Sequence, residues 1–198
     1  APEDVVMYQV NPRVFAPEKS FNAVAQHLDS IKALGTNVVW FMPIYPVGQI
    51  KTVNSPYCIS DYKGVNPEFG TLEEFKNVVS LCHEKGMSVI VDWVANHTSW
   101  DNKWIESNPE WYTHEDGQIV PPIKDWADVA DLDFDNPEMR LAMIDAMKFW
   151  VTEVGIDGFR CDAADFVPFD FWKQCCDSLR AIPDHKLLLL AEGKRKDH

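Results

Sequence analysis

The sequence predicts an α/β fold built on a parallel sheet, and three observations carry that expectation. Apolar runs of strand length alternate with single helices of 3.6-residue periodicity along the chain. The runs are apolar throughout, as in strands covered on both faces. One junction also recurs three times: a helix end, a glycine, a short spacer and an apolar strand. Its instances are Gly35-Thr36-Asn37-Val38-Val39, Gly86-Met87-Ser88-Val89-Ile90 and Gly155-Ile156-Asp157-Gly158-Phe159. Units of this kind set the strands parallel, and right-handed crossovers bring their C-terminal ends to one edge.

Taken in order, Val5 to Val10 forms the first predicted strand, reaching Asn11-Pro12. Ser20 opens a helix with Val24, Leu28 and Ile31 on its apolar face, stopped by Gly35. Asn37 to Met42 is the second strand, broken by Pro43 and Pro46, and a long loop follows to Gly70. Thr71 and Glu74 form a capping box that starts a helix with Leu72, Phe75, Val79 and Cys82 on one face. Met87 to Asp92 is the third strand. The next regular helix begins at Asn136-Pro137, an N-cap followed by proline at the first helical position, and Met139, Met143, Ala146 and Trp150 mark its buried side. Ile156 to Asp162 is the fourth strand. A helix over Phe171 to Arg180 then turns Trp172, Cys176 and Leu179 inward, and Lys186 to Glu192 is the fifth strand.

A chain of 198 residues, 46% hydrophobic and 25% charged, has the composition of one globular domain. Its formal net charge of -13 argues against nucleic acid or an anionic membrane as partner, because a phosphate surface would repel it. Apolar runs fall short of the roughly 20 residues a spanning helix needs. The five cysteines, Cys58, Cys82, Cys161, Cys175 and Cys176, lack zinc-ligand spacing and read as core thiols. Free thiols favour a reducing, cytoplasmic compartment, whereas a first residue that is alanine leaves room for a removed leader.

The polar residues of interest lie at the strand ends. Asn11 and Arg13 follow the first strand, Asp92, Asn96 and His97 the third, Arg160 and Asp162 end the fourth, and Glu192 ends the fifth. Period-two alternation points Arg160 and Asp162 to one face and Phe159 and Cys161 to the other. Alone, that pair reads as a structural salt bridge. Glu192, a second carboxylate closing the run Leu187 to Leu190, changes the reading. Sites form at the C-terminal strand ends both in a parallel barrel and in an open doubly wound sheet. A glycine-rich phosphate loop is missing, which disfavours nucleotides. Adjacent strands lie about 4.8 Å apart, so the two acids can approach the roughly 5 to 5.5 Å used by retaining glycosidases. Arg160 is expected to favour ionised Asp162, and the leucine run to favour protonated Glu192.

The segments Asp92-Trp93-Val94-Ala95-Asn96-His97, Gly158-Phe159-Arg160-Cys161-Asp162 and Ala191-Glu192 resemble, in order and spacing, three of the four signature regions of the α-amylase family of glycoside hydrolases. Pro56-Tyr57, Asp61-Tyr62 and Phe69-Gly70-Thr71 resemble the family's second βα loop. The resemblance implies an eight-stranded (β/α) barrel of TIM type acting on α-linked glucans such as starch or maltooligosaccharides with retention. Residues 1–198 would form about five of its βα units, with 98–135 a small inserted subdomain after the third strand. Asp162 then matches the nucleophile, Glu192 the acid/base and Arg160 the arginine that holds the nucleophile ionised. Tyr57 and His97 match residues that contact the sugar, and Asp92 a largely structural position. Asn96-His97-Thr98 also fits a glycosylation sequon, which a position at the barrel mouth argues against.

Within the insert, Trp100, Trp104, Trp111 and Trp126 are candidate sugar platforms, with core packing the expectation for most of them. Asp165 and Phe166 depart from the family, many of whose members carry Lys-His there to serve substrate and calcium. The chemistry implied needs no cofactor, and Asn96 with oxygens from the insert is where a structural calcium would bind; the metal ligands stay undetermined. The fourth signature, with a third catalytic acid, is absent, so the chain is expected to be an inactive fragment whose open sheet edges promote self-association. The other reading is a carbohydrate-binding or assembly subunit with an amylase-like barrel and no catalysis.

Overall fold

A computed structural model of the chain describes residues 1–194. Strand β1 (Met7–Val10) leads into the single turn α1 (Pro12–Phe15), the helix α2 (Ser20–Ala33) and strand β2 (Val38–Phe41). Helix α3 (Leu72–Glu84) and strand β3 (Ser88–Trp93) follow. The excursion after β3 contains β4 (His97–Ser99), α4 (Lys103–Ser107), β5 (His114–Glu115), β6 (Gln118–Ile119) and β7 (Val129–Asp131). Helix α5 (Pro137–Phe149), strand β8 (Gly158–Cys161), helix α6 (Phe169–Arg180) and strand β9 (Leu188–Ala191) complete the fold.

The five predicted strands are all present, four of them shorter than the apolar run that announced them and β3 of the same length but shifted by one residue, and they pair in parallel in the order β1-β2-β3-β8-β9. The sheet is an open arc with β1 and β9 at its ends, consistent with part of a (β/α) barrel. Val39, Phe41, Val89, Val91 and Phe159 lie fully buried in one cluster with Phe21, Val24 and Leu28 of α2, Phe75 of α3 and Met139 and Met143 of α5. By alternation the opposite face carries Gln9, Trp40, Asp92, Arg160 and Leu190. Among the described residues no helix is long and apolar enough to cross a membrane.

Local chemistry explains the boundaries. Thr71 accepts from the Glu74 amide and the Glu74 side chain accepts from the Thr71 amide, the expected capping box. Asn136 accepts from the amides of Glu138 and Met139 ahead of Pro137. Helix α5 runs on as a π-helical turn over Trp150–Val154, which ends at Gly155 with φ 83°, a conformation that glycine adopts without steric cost. Helix α2 differs in its start. Its N-cap is Lys19, and Ser20 instead donates to the Pro12 carbonyl, tying the helix to α1.

Helix α6 corrects the predicted inward face. It begins at Phe169, and Phe171, Cys175 and Leu179 are buried, whereas Trp172 and Cys176 lie one position round the helix and are only partly covered. The excursion after β3 is a small unit tied to the sheet. β4 pairs antiparallel with β7, and β5 with β6. Tyr62 donates to the carbonyls of Val94 and His97, at 2.7 and 3.0 Å, and Tyr45 donates to the Asp92 carbonyl at 2.7 Å. Two buried tyrosines from the second loop thus fix the chain just where β3 hands over to the insert. All five cysteines are free thiols, four of them buried.

Candidate active site

Register places the site. Asp92 on β3 is the direct partner of Arg160 on β8, and Arg160 is the partner of Leu190 on β9. Nη1 of Arg160 donates to Asp92 Oδ1 at 2.6 Å and to Asp162 Oδ1 at 3.1 Å, while Nη2 lies 3.7 Å from Glu192 Oε2. The second oxygen of Asp92 accepts from Nε1 of Trp40 at 2.9 Å, and the guanidinium sits 5.3 Å from the centre of the Trp40 ring. Glu192 Oε2 accepts from the Ala163 amide at 2.9 Å. One cation therefore gathers three carboxylates at the C-terminal edge of three adjacent strands. This is more than the Arg160–Asp162 pair read from the sequence, because Asp92 is the closest partner and is 0% exposed.

Burial dominates the proton affinities. It pushes Asp92 up to about 6, against the pull of Arg160 and the Trp40 hydrogen bond. Asp162 is also raised above the ordinary carboxylate range, first by burial and further by the Glu192 charge, with Arg160 opposing. The expectation that Arg160 would set the direction for Asp162 is thus corrected, because its guanidinium is spread over three acids. The expected apolar envelope of Glu192 is not found either. Its side chain is 45% exposed and bound to a backbone amide, since the leucines before it lie along the strand and do not enclose its end. Tyr57 is pushed up to about 12 by burial and then by Asp92 and Asp162. Burial lowers His97 to about 4, so its imidazole is neutral near neutral pH.

Two cavities meet at Asp162. One, of about 220 Å³, is lined by Tyr57, His97, Trp126, Asp128 and Asp162. The other, of about 500 Å³, is lined by Trp126, Asp162, Asp165, Phe166, Glu192 and Lys194. The five residues singled out in the sequence, Asp162, Glu192, Arg160, Tyr57 and His97, are therefore brought together. Trp40 was missed, although its period-two position on β2 aims it at the same face as Asp92. Among the tryptophans of the insert, Trp104 and Trp111 pack edge to face 5.2 Å apart against the core, and Trp100 donates to the Ala127 carbonyl. Trp126 alone of the four lines the cavities.

Among the described residues no group of three or more His, Cys, Asp and Glu side chains is placed to hold an ion, and the Asn96 amide lies 3.2 Å from Nδ1 of His97.

The fold and the site define a TIM-barrel-like α/β protein with an acid-rich centre at its strand ends. The profile of the family described as alpha amylase, catalytic domain, matches residues 19–127 and 110–188. The chain belongs to the alpha-amylase family. It superimposes on an alpha-amylase from Lactobacillus plantarum with a TM-score of 0.90 at 41% identity, covering 96% of this chain and 45% of that one. The maltogenic alpha-amylase AmyB from Thermotoga neapolitana gives 0.88 at 36% identity, with the same coverage of 96% and 45%. In sequence the chain is 31% identical to Alpha-amylase 3 of Dictyoglomus thermophilum over 92% of this chain and 42% of the relative. It is also 30% identical to the human Amino acid transporter heavy chain SLC3A1, over 81% of this chain and 29% of the relative. The chain thus spans less than half the length of each.

Proposed function

We propose that the protein carrying this chain cleaves or transfers α-glucosidic bonds of glucans with retention. The observation that carries the reading is Arg160 gathering Asp92, Asp162 and Glu192 at the ends of three adjacent parallel strands. Asp162, 20% exposed and open to both cavities, is the nucleophile. It attacks the anomeric carbon while Glu192 gives its proton to the departing glycosidic oxygen, leaving a glycosyl ester on Asp162 and a carboxylate on Glu192. Glu192 then takes a proton from water or a sugar hydroxyl, whose oxygen displaces Asp162 from the anomeric carbon. Arg160 and Asp92 position the nucleophile. Neutral His97 and the Tyr57 ring contact the sugar whose bond is cut. No cofactor takes part.

Residues 1–198 supply this half of the centre and are expected to be inactive alone, because the family's third acid matches no position here. Glucan digestion by the full-length protein and its Asp162→Asn variant is the test. A loss of about 10⁴-fold or more is expected, and equal activity in both would overturn the assignment.

A second reading is favoured by the similarity to a transporter heavy chain: an amylase-like subunit that assembles or binds without catalysis. It predicts maltooligosaccharide binding, or none, with no turnover by the full-length protein. Both acids of a working pair, Asp162 and Glu192, are present, which supports the enzymatic reading over this one.

A further inference from the structure

Trp40 touches both members of the central ion pair, and the catalytic reading gives it no task. It lies on β2, with Gln9 of β1 and Ile90 of β3 as its register partners, and its indole is partly buried. Its Nε1 donates to Asp92 Oδ2 at 2.9 Å, which leaves Oδ1 to Arg160 Nη1 at 2.6 Å. Among the described residues these two side chains are the donors to that carboxylate, and Asp92, 0% exposed, draws no donor from solvent in their stead. The Trp40 ring also lies 5.3 Å from the guanidinium, within reach of a cation–π contact. The nitrogen that Asp92 holds is the one that reaches Asp162 Oδ1 at 3.1 Å. A chain of contacts therefore runs from β2 to the proposed nucleophile, through the indole N–H, Asp92 and Arg160.

We propose that Trp40 is a positioning residue for the nucleophile: its N–H fixes one oxygen of Asp92, so that the other holds Arg160 in place against Asp162. This rests on the catalytic reading of Asp162. A buried carboxylate left with one donor in place of two is harder to keep ionised, because nothing else offsets its lost hydration. Burial already pushes Asp92 up to about 6, and the Trp40 hydrogen bond is among the contacts that oppose the shift. Without it Asp92 takes up a proton more readily. Arg160 then loses its nearest anion, which loosens it on β3 and leaves its charge to the more exposed Asp162. Glu192 meets this unit through Arg160, 3.7 Å from Nη2. The other titratable groups facing Asp92 are Cys161 on β8 and Tyr45 and Tyr57 from the second loop. Burial pushes all three up, so they stay neutral and do not mask the coupling.

Three variants of the full-length protein separate the N–H from the ring. Trp40→Phe keeps a ring and loses the donor, Trp40→Met loses both, and Trp40→Gln loses the ring but carries an amide nitrogen as many bonds from Cα as the indole Nε1. With maltotriose as substrate, Trp40→Phe and Trp40→Met are each expected to lower kcat about tenfold with KM within about twofold of the parent, because a loosened Arg160 no longer holds Asp162 in line. Both should move the acid limb of kcat/KM to lower pH. Trp40→Gln should stay within about threefold of the parent in kcat, with the limb unmoved. In an Asp92→Asn background, where position 92 no longer titrates, adding Trp40→Phe should leave the limb where it is. A limb that stays in place or rises in Trp40→Phe, equal losses in Trp40→Gln and Trp40→Met, or a further limb shift in the Asp92→Asn background would overturn the proposal. Undiminished turnover by Asp162→Asn would instead bring down the catalytic reading beneath it.

Discussion

Asp92 and Arg160 face each other across β3 and β8 as register partners, with a carboxylate oxygen and a guanidinium nitrogen 2.6 Å apart and the acid wholly removed from solvent. The contact turns a residue two strands away from Glu192 into part of the same electrostatic unit. Because the same Nη1 also reaches Asp162, any change in the Asp92–Arg160 pair is transmitted to the proposed nucleophile.

Replacing the arginine should therefore have two separable effects. Arg160→Met keeps most of the stem packing but leaves Asp92 buried without a counter-charge, a loss of about 3–5 kcal/mol in urea unfolding. It also removes the group that opposes the upward shift of Asp162. A nucleophile must be ionised, so the acid limb of kcat/KM against pH in the full-length protein should move to higher pH, with activity down at least about a hundredfold. An acid limb that stays in place, or moves to lower pH, would show that Arg160 does not act on the group controlling the rate.

Stability against pH carries two opposing contributions. The His97 proton affinity drops from its ordinary 6.5 to about 4 on folding, so the unfolded chain binds the extra proton between those values and stability rises with pH through that window. Asp92 goes from 3.8 to about 6, so the folded chain holds the extra proton and stability falls with pH from 3.8 to 6. Each shift corresponds to about 3 kcal/mol, and together they nearly cancel. His97→Gln should leave the Asp92 contribution exposed, giving stability that declines as pH rises from 4 to 6, and Asp92→Asn should give the opposite slope. Denaturant titrations at several pH values measure both, and two variants with the same slope would refute the assignment.

The sheet and most helix faces were legible because they rest on local rules: continuous apolar runs, a capping box at Thr71 and Glu74, an Asn136-Pro137 start and glycine stops. Where the sequence misled, the competing signal was nonlocal or degenerate. On α6 the stripes Phe171, Cys175, Leu179 and Trp172, Cys176, Leu179 fit helical spacing equally well, and only the packing against β8 and α5 selects the first. The Arg160–Asp162 spacing announced a charged pair. It could not announce that Asp92, on another strand and itself bonded by Trp40, would share the same guanidinium with Asp162, or that burial would decide the direction of the Asp162 shift. Trp126 reaches Phe166 only because the β4–β7 pairing folds the insert back over the strand ends, a contact between residues 40 positions apart in the chain.

Gly158 marks the tightest approach between β8 and β9. Its φ is 157°, and a Cβ built there would lie 1.8 Å from the Leu188 carbonyl oxygen and 2.7 Å from its carbon. Those are backbone atoms of the neighbouring strand, with no flexible side chain to yield, so Gly158→Ala must push β9 away and with it Glu192. A cost above about 4 kcal/mol is expected, at the extreme of single substitutions. Circular dichroism and urea unfolding of the variant provide the measurement, and a midpoint within experimental error of the parent would mean that the two strands are not in fact this close.

The final prediction concerns residues 1–198 as an isolated chain. Its sheet ends in β1 on one side and β9 on the other, and the first edge presents Val6 and Met7, 47% and 37% exposed. Between the edges an open groove of about 420 Å³ is lined by Met7, Val38, Leu188 and Leu190. Unpaired strand edges beside an uncovered apolar surface favour pairing with another copy, because doing so satisfies backbone groups and buries apolar area together. Sedimentation velocity over a tenfold concentration range should show association. Met7→Lys with Leu188→Lys, which place charge on the edge and in the groove, should shift it towards monomer. A sharp monomer boundary for the unmodified chain at every concentration would show that the open arc is self-sufficient.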